Sequence, residues 1–165
     1  PVAAPTLEPP ARPLDRTGFE PLCPQETVAI EQFFRDSYGF NLNAVMESQD
    51  LSLWRRGTRL FAFPNAYLNR FASLPVQSLG LPLCEEGPDG FQMAHEWAAR
   101  FGRHFTNSTI TLDVDQAAAW LHGEDLPLTN GYPDGAVLAV RDGFDRNLAR
   151  GKVQAGRLKN FYPRR

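Results

Sequence analysis

Few residues in this chain of 165 are arranged for catalysis. His95-Glu96 invites comparison with zinc deaminases, but that chemistry needs His-x-Glu and a Pro-Cys-x-x-Cys pair to hold the metal, and the sequence has neither. His95 therefore reads as a packed, hydrogen-bonded histidine on a helix. His104 and His122 have no His or Cys at metal-ligand spacing. Asp113-x-Asp115 supplies two carboxylates and no glycine-bearing loop, too few ligands for a hard cation, so Asp113 reads as a helix cap. Of the two cysteines, Cys23 falls in a Pro-rich linker and Cys84 on an apolar strand, and neither has a neighbouring base to activate it. Two thiols also cannot form a disulfide framework or a four-thiolate zinc site. No Walker-type phosphate loop, no Gly-x-Gly-x-x-Gly after a strand and no Gly-x-Ser-x-Gly elbow occurs. The expectation is a chain that is not catalytic by itself, with no metal and no cofactor of its own.

What remains is the basic C-terminus. The overall net charge of −2 argues against a nucleic-acid partner only until it is divided. Residues 141–165 hold eight Lys and Arg against two Asp, a net of +6, and residues 1–140 hold nine against seventeen, a net of −8. Cations attract phosphate, arginine can grip it in a bidentate fashion, and aromatic faces stack on unpaired bases. Along this stretch Arg150, Lys152, Arg157, Lys159, Arg164 and Arg165 alternate with Asn160, Phe161 and Tyr162. These residues fit an RNA-facing strand. They fit equally a solvated final strand with Phe161 and Tyr162 in the core, or a mixture with Phe161 buried and the cations outside.

The elements that must position these side chains are legible in part. Half of the 14 prolines lie in residues 1–24, where repeated loss of backbone donors predicts an extended, largely disordered linker. Gln25 to Tyr38 reads as a helix with Ile30, Phe33 and Phe34 on one face and Gly39 as its left-handed end. Leu51–Trp54 and Arg59–Phe63 read as a hairpin. Asn65 is expected to cap a short helix over 66–72, with short strands over 76–79 and 81–84 and a turn-rich loop over 85–90. Phe91 to Phe101 reads as a helix closed by Gly102. Beyond it come a strand at Thr109–Leu112, a helix to Leu121 with Asp113 and Gln116 as a capping box, strands at 126–128 and 136–141, and a last stretch interrupted by Gly151 and Gly156. No apolar run is long enough to span a membrane. The division is a linker at 1–24, a small α/β module at 25–102 and a second module at 103–165.

At this point the residues resemble a known ending. Arg157-Leu158-Lys159-Asn160-Phe161-Tyr162-Pro163-Arg164-Arg165 resembles the Leu-Lys-Asn-x-Tyr-Pro close of RsmF-type, Sun-family ribosomal RNA cytosine-5 methyltransferases. Ala117-Ala118-Ala119-Trp120-Leu121-His122-Gly123-Glu124, the strand ending in Asp142-Gly143-Phe144, and Gly151-Lys152 are similar to the family's segments in the same order. Leu60 to Pro64, Gly80 to Leu83, and Phe91 with His95 and Ala98 extend the likeness into the first module. It departs at Ala136 and Arg150, where the family carries tryptophan; Arg150 can still stack or pair with phosphate.

The resemblance implies an α+β chain, a small mixed α/β module followed by a PUA-like mixed β-barrel with a short helix. It implies a cytoplasmic, RNA-binding region that positions ribosomal RNA for a separate catalytic domain, with S-adenosylmethionine as the parent enzyme's cofactor. Lys152, Arg157, Lys159, Arg164 and Arg165 would meet phosphates, Arg150 would add a contact, Asn160 would meet a base or 2′-hydroxyl, and Tyr162 would stack. The Pro-rich start would be the tether to the catalytic domain, which would itself be a partner. A protein-interaction module docking on that domain is the alternative.

Overall fold

The computed structural model describes residues 18–67, 80–129 and 131–161. The expected linker over 1–16, most of the expected helix at 66–72, the strand at 76–79, and site residues Tyr162, Arg164 and Arg165 lie outside the described residues.

Two five-stranded sheets carry the chain. The first is an antiparallel meander of β1 (Glu20–Pro21), β2 (Leu51–Arg56), β3 (Arg59–Pro64), β4 (Leu81–Gly87) and β5 (Gly90–Met93), in that order. Against one of its faces lie α1 (Pro24–Tyr38), α2 (Leu42–Ser48) and α3 (His95–Phe101). The second sheet contains β6 (Thr109–Leu112), β7 (Leu126–Pro127), β8 (Val137–Asp142), β9 (Asn147–Gln154) and β10 (Arg157–Asn160), ordered β6-β8-β9-β10-β7, with α4 (Val114–Leu121). Among the described residues of this sheet β6 and β8 run parallel and the other pairs are antiparallel. The class is α+β, an antiparallel sheet with helices followed by a curled, PUA-like mixed sheet.

Local sequence explains most elements. Ile30, Phe34 and Tyr38 recur every four residues on α1 and are buried. Gly39, at φ +59°, ends the helix in the left-handed conformation that a side chain disfavours. In α4 the capping box is complete: the Gln116 amide donates to Asp113 Oδ1 at 2.8 Å, and the Asp113 amide donates to Gln116 Oε1 at 3.1 Å.

Several expectations need correcting. Residues 18–23 are not linker. β1 pairs with β2, and Phe19 is buried edge-on against Phe61 at 5.3 Å. Cys23 is the N-cap residue of α1, its amide donating to Glu26 Oε2 at 2.9 Å. Residues 85–93 form a hairpin rather than a loop and a helix start. β4 runs on to Gly87 and pairs with β5, so Phe91 is a strand residue and α3 begins only at His95. The α2 helix, capped by Asn41 through the Ala44 amide, was not expected. Gly151 does not interrupt β9. A Cβ there would lie 2.6 Å from Leu158 and 2.8 Å from Trp120, both fully buried, so glycine is what lets the strand pass over that core.

The first core is aromatic, built on Phe34, Tyr38, Phe40, Trp97, Phe101 and Phe105; the second, around Trp120, Leu138, Val153 and Leu158, is mainly aliphatic. They meet at a bonded seam. The C-terminal carbonyls of α1 accept from the segment leading into β6: Thr106 and Asn107 amides to Tyr38 O at 2.9 and 3.1 Å, and Ser108 Oγ to Ser37 O at 2.8 Å. Ala139 of β8 is buried in the first core, and α3 packs on β9.

Candidate nucleic-acid interface

Strand alternation sorts the C-terminal cations. On β9, Ala149, Gly151 and Val153 turn into the second core, while Arg150, Lys152 and Gln154 face the other way. On β10, Leu158 is buried, and Arg157, Lys159 and then Phe161 alternate with it outward. The register places Lys152 directly opposite Lys159 and Arg157 opposite Gln154. Two lysines thus sit side by side on one face. Like charges in that position repel, a cost that an arriving anion removes.

An acidic latch holds this edge. Asp125 Oδ2 takes the Lys159 ammonium at 2.7 Å, and its Oδ1 accepts the Asn160 amide at 2.9 Å. Those hydrogen bonds, Lys159 first and Asn160 second, hold the Asp125 pKa below the ordinary carboxylate value against the opposing effect of burial. Arg157 donates to the Asp125 carbonyl at 2.7 Å. Among the described residues Lys152 has no ion-pair partner.

The other cations are committed to the protein. Arg141 donates to the carbonyls of Gly102 and Phe105, the latter at 2.7 Å, pinning the turn after α3 to β8. Arg146 closes the Asp142 loop: its Nε lies 2.6 Å from Asp142 Oδ2, while the Phe144 and Arg146 amides donate to Oδ1 at 3.0 and 2.9 Å. Desolvation pulls the Asp142 pKa upward, but the hydrogen bonds from Arg146 and Phe144 outweigh it and the net value is lowered. Arg150 turns into the seam, donates to the Met93 carbonyl and faces Glu96; burial draws its pKa below the usual arginine value.

The expected site residues are therefore divided. Lys152, Arg157 and Lys159 share an outward surface, and Arg150 borders it. Asn160, expected to meet a base, turns its amide inward, donating to Trp120 O at 2.6 Å and tying β10 to the end of α4. Phe161 is 50% exposed, which rules out its burial in the core. His95 is partly buried on α3. Burial lowers its pKa, Arg150 adds to that, and Glu96 opposes it. Cys84 is buried, its thiol pushed up to about 12 chiefly by desolvation, so it stays protonated and inert. Among the described residues no group of three or more His, Cys, Asp or Glu is placed to hold a metal ion, and no helix is long and apolar enough to cross a membrane.

Two contributions were missed from the sequence. Asp125 acts across more than thirty residues, which no local pattern reveals. Two adjoining hollows at the seam were also invisible. One, of about 620 Å³, is lined by Arg56, Arg59, Glu85, Gln92, His95 and Arg150 among others. The other, of about 160 Å³, shares Gln92 and Arg150 with it and reaches Lys152 and Phe161.

Residues 107–165 match the family model described as the methyltransferase RsmF PUA domain. The whole chain is similar to proteins named ribosomal RNA small subunit methyltransferase F. Identity is 27% to that of Pectobacterium carotovorum, over 98% of this chain and 32% of the relative. It is 27% to that of Vibrio vulnificus, over 88% and 29%, and 29% to that of Klebsiella pneumoniae, over 96% and 31%. The chain thus spans about a third of the length of these relatives. It is homologous to the C-terminal, PUA-domain region of RsmF-type ribosomal RNA methyltransferases.

Proposed function

We propose that this chain is the RNA-binding region of a ribosomal RNA 5-methylcytosine methyltransferase, and that it positions substrate RNA for a separate S-adenosylmethionine-dependent catalytic domain. The observation that carries the reading is the cross-strand pair Lys152–Lys159 on the outward face of β9 and β10, flanked by Arg157. That surface offers three cations, Arg157 and Lys159 two residues apart along β10 and Lys152 across from Lys159 on β9, a fit to successive phosphates of a single strand. Arg150 borders it, and Tyr162, Arg164 and Arg165 continue its sequence. Asn160 keeps β10 in place.

The described residues do not fit S-adenosylmethionine. Among the described residues the one parallel strand that enters a helix, β6 into α4, does so through Asp113, whose carboxylate occupies the helix N-terminus.

Fluorescence anisotropy with a single-stranded fragment of small-subunit ribosomal RNA tests the reading. Binding should weaken steeply with salt. Replacing Lys152, Arg157 and Lys159 with Ala should flatten the log–log salt slope by roughly 2, from about 0.7 per phosphate contact on single strands.

Exposed apolar residues on α4 favour a second role. Val114 and Leu121, seven residues apart on one helix face, are 75% and 53% exposed. They suit docking on the catalytic domain. Co-purification of the two that survives excess RNA and is lost in Val114→Glu/Leu121→Glu would support it; retention in that variant would contradict it.

A further inference from the structure

The smaller hollow at the seam has the makings of a base pocket. Its walls come from both sheets: Gln92 from β5 on one side, Val137, Gly151 and Lys152 from β8 and β9 on the other, with Arg150 and Phe161 completing it. Phe161 leaves half of its surface exposed, whereas the aromatic side chains of the first core are packed ring against ring. It also follows Arg157 and Lys159, one residue past the end of β10. A nucleic-acid strand whose phosphates lie on those cations would carry its next base toward the Phe161 ring. Arg150 is held in place by the Met93 carbonyl, so its planar guanidinium forms a fixed wall. Gln92 carries both a donor and an acceptor, as needed to meet a base edge. Gln92 and Arg150 also border the larger cleft, whose lining carries Arg56 and Arg59 together with Glu85 and Glu96.

We propose that the cavity between Phe161, Arg150 and Gln92 receives one unpaired RNA base, stacked on Phe161 with the Gln92 carboxamide at its edge. The proposal rests on the RNA-binding reading and extends it: the interface crosses from the second sheet onto the first, and the junction senses a base as well as charge.

The test uses the full chain, two fluorescein-labelled RNA 12-mers, one of mixed sequence and one with the same backbone but abasic, and the homopolymers A12, C12 and U12. Wild type should bind the base-bearing strand about tenfold or more tightly than the abasic one. Phe161→Ala should remove that difference and leave the salt slope unchanged, since no cation is lost. Phe161→Leu, which keeps apolar volume without a ring, should do the same and serves if the alanine variant folds poorly. Gln92→Leu should alter the order of preference among A12, C12 and U12 while abasic binding stays constant. Persistence of the full difference in both Phe161 variants overturns the base pocket, and so does an unchanged preference order in Gln92→Leu. Equal wild-type binding to both strands, abolished by the Lys152/Arg157/Lys159 alanine variant, overturns the pocket and keeps the RNA-binding reading. No wild-type binding to either strand overturns both.

Discussion

The outward face of β9 has a covered half and an open half. At Arg150 it is covered by α3 and β5, and the guanidinium is desolvated and spent on the Met93 carbonyl. Two residues on, at Lys152, the face is open and the residue stands in register with Lys159, whose ammonium is held by Asp125. One strand thus uses the same charge for two purposes, and what separates them is the edge of the neighbouring helix. The total of +6 in the last 25 residues overstates the charge left on the outward surface, because Arg141, Arg146 and Arg150 are committed to holding loops and the seam.

The largest effects should come from the side of these strands that closes the core. Leu158 is fully buried under Gly151 and beside Trp120. Leu158→Ala should cost about 2–5 kcal/mol and Gly151→Ala about 1–3 kcal/mol, both read from urea unfolding. If either is neutral, the tight crossing of β9 over Trp120 is wrong.

The latch at the edge comes next. Asp125→Ala removes the Lys159 ion pair and the acceptor of the Asn160 amide, and should cost about 1 kcal/mol. It should not alter the aromatic core, so near-ultraviolet circular dichroism should remain native.

Acid should act on both halves, at different pH. Asp125 and Asp142 have folded pKa values below the ordinary carboxylate value. Their contribution is therefore full above about 4, the unfolded value, and is lost as pH falls through the lower folded values. His95, whose pKa is depressed by burial, with Arg150 adding to the effect and Glu96 opposing it, takes a proton more readily in the unfolded chain. Stability should begin to fall below about pH 6.5 and fall further below about 4. In urea titrations across pH, His95→Gln should abolish the first decline and leave the second.

The smallest stability effect belongs to the open half. Lys152→Ala should change unfolding by no more than about 0.5 kcal/mol, with a stabilising sign if any, because a like-charge pair is relieved. A cost of several kcal/mol would mean that Lys152 is structural, and the distinction between the halves would fail.

Parts of this arrangement were legible in the sequence because they are local. The α1 stripe, its Gly39 end, the Asp113–Gln116 capping box and the Leu51–Pro64 hairpin are each set by residues within a few positions of one another. The β4–β5 hairpin was misread because Phe91, Ala94 and Ala98 also satisfy a helical spacing. Alternation of Phe91 and Met93, with Asp89-Gly90 before them, was the competing signal, and pairing with β4 decided it. Gly151 looked like a breaker because its reason, Leu158 and Trp120, lies on other elements. The basic surface was foreseen from the charge run, but the division of its members was not. Which cations face outward depends on Asp125, Met93 and the placement of α3, all distant in sequence.

The salt dependence of RNA binding, wild type against the Lys152/Arg157/Lys159 alanine variant, tests the central claim most directly. The account predicts weaker binding, a log–log slope shallower by roughly 2, and a loss of stability of no more than about 1 kcal/mol, from the bonds of Lys159 and Arg157 to Asp125. An unchanged slope and affinity in a folded variant would contradict it.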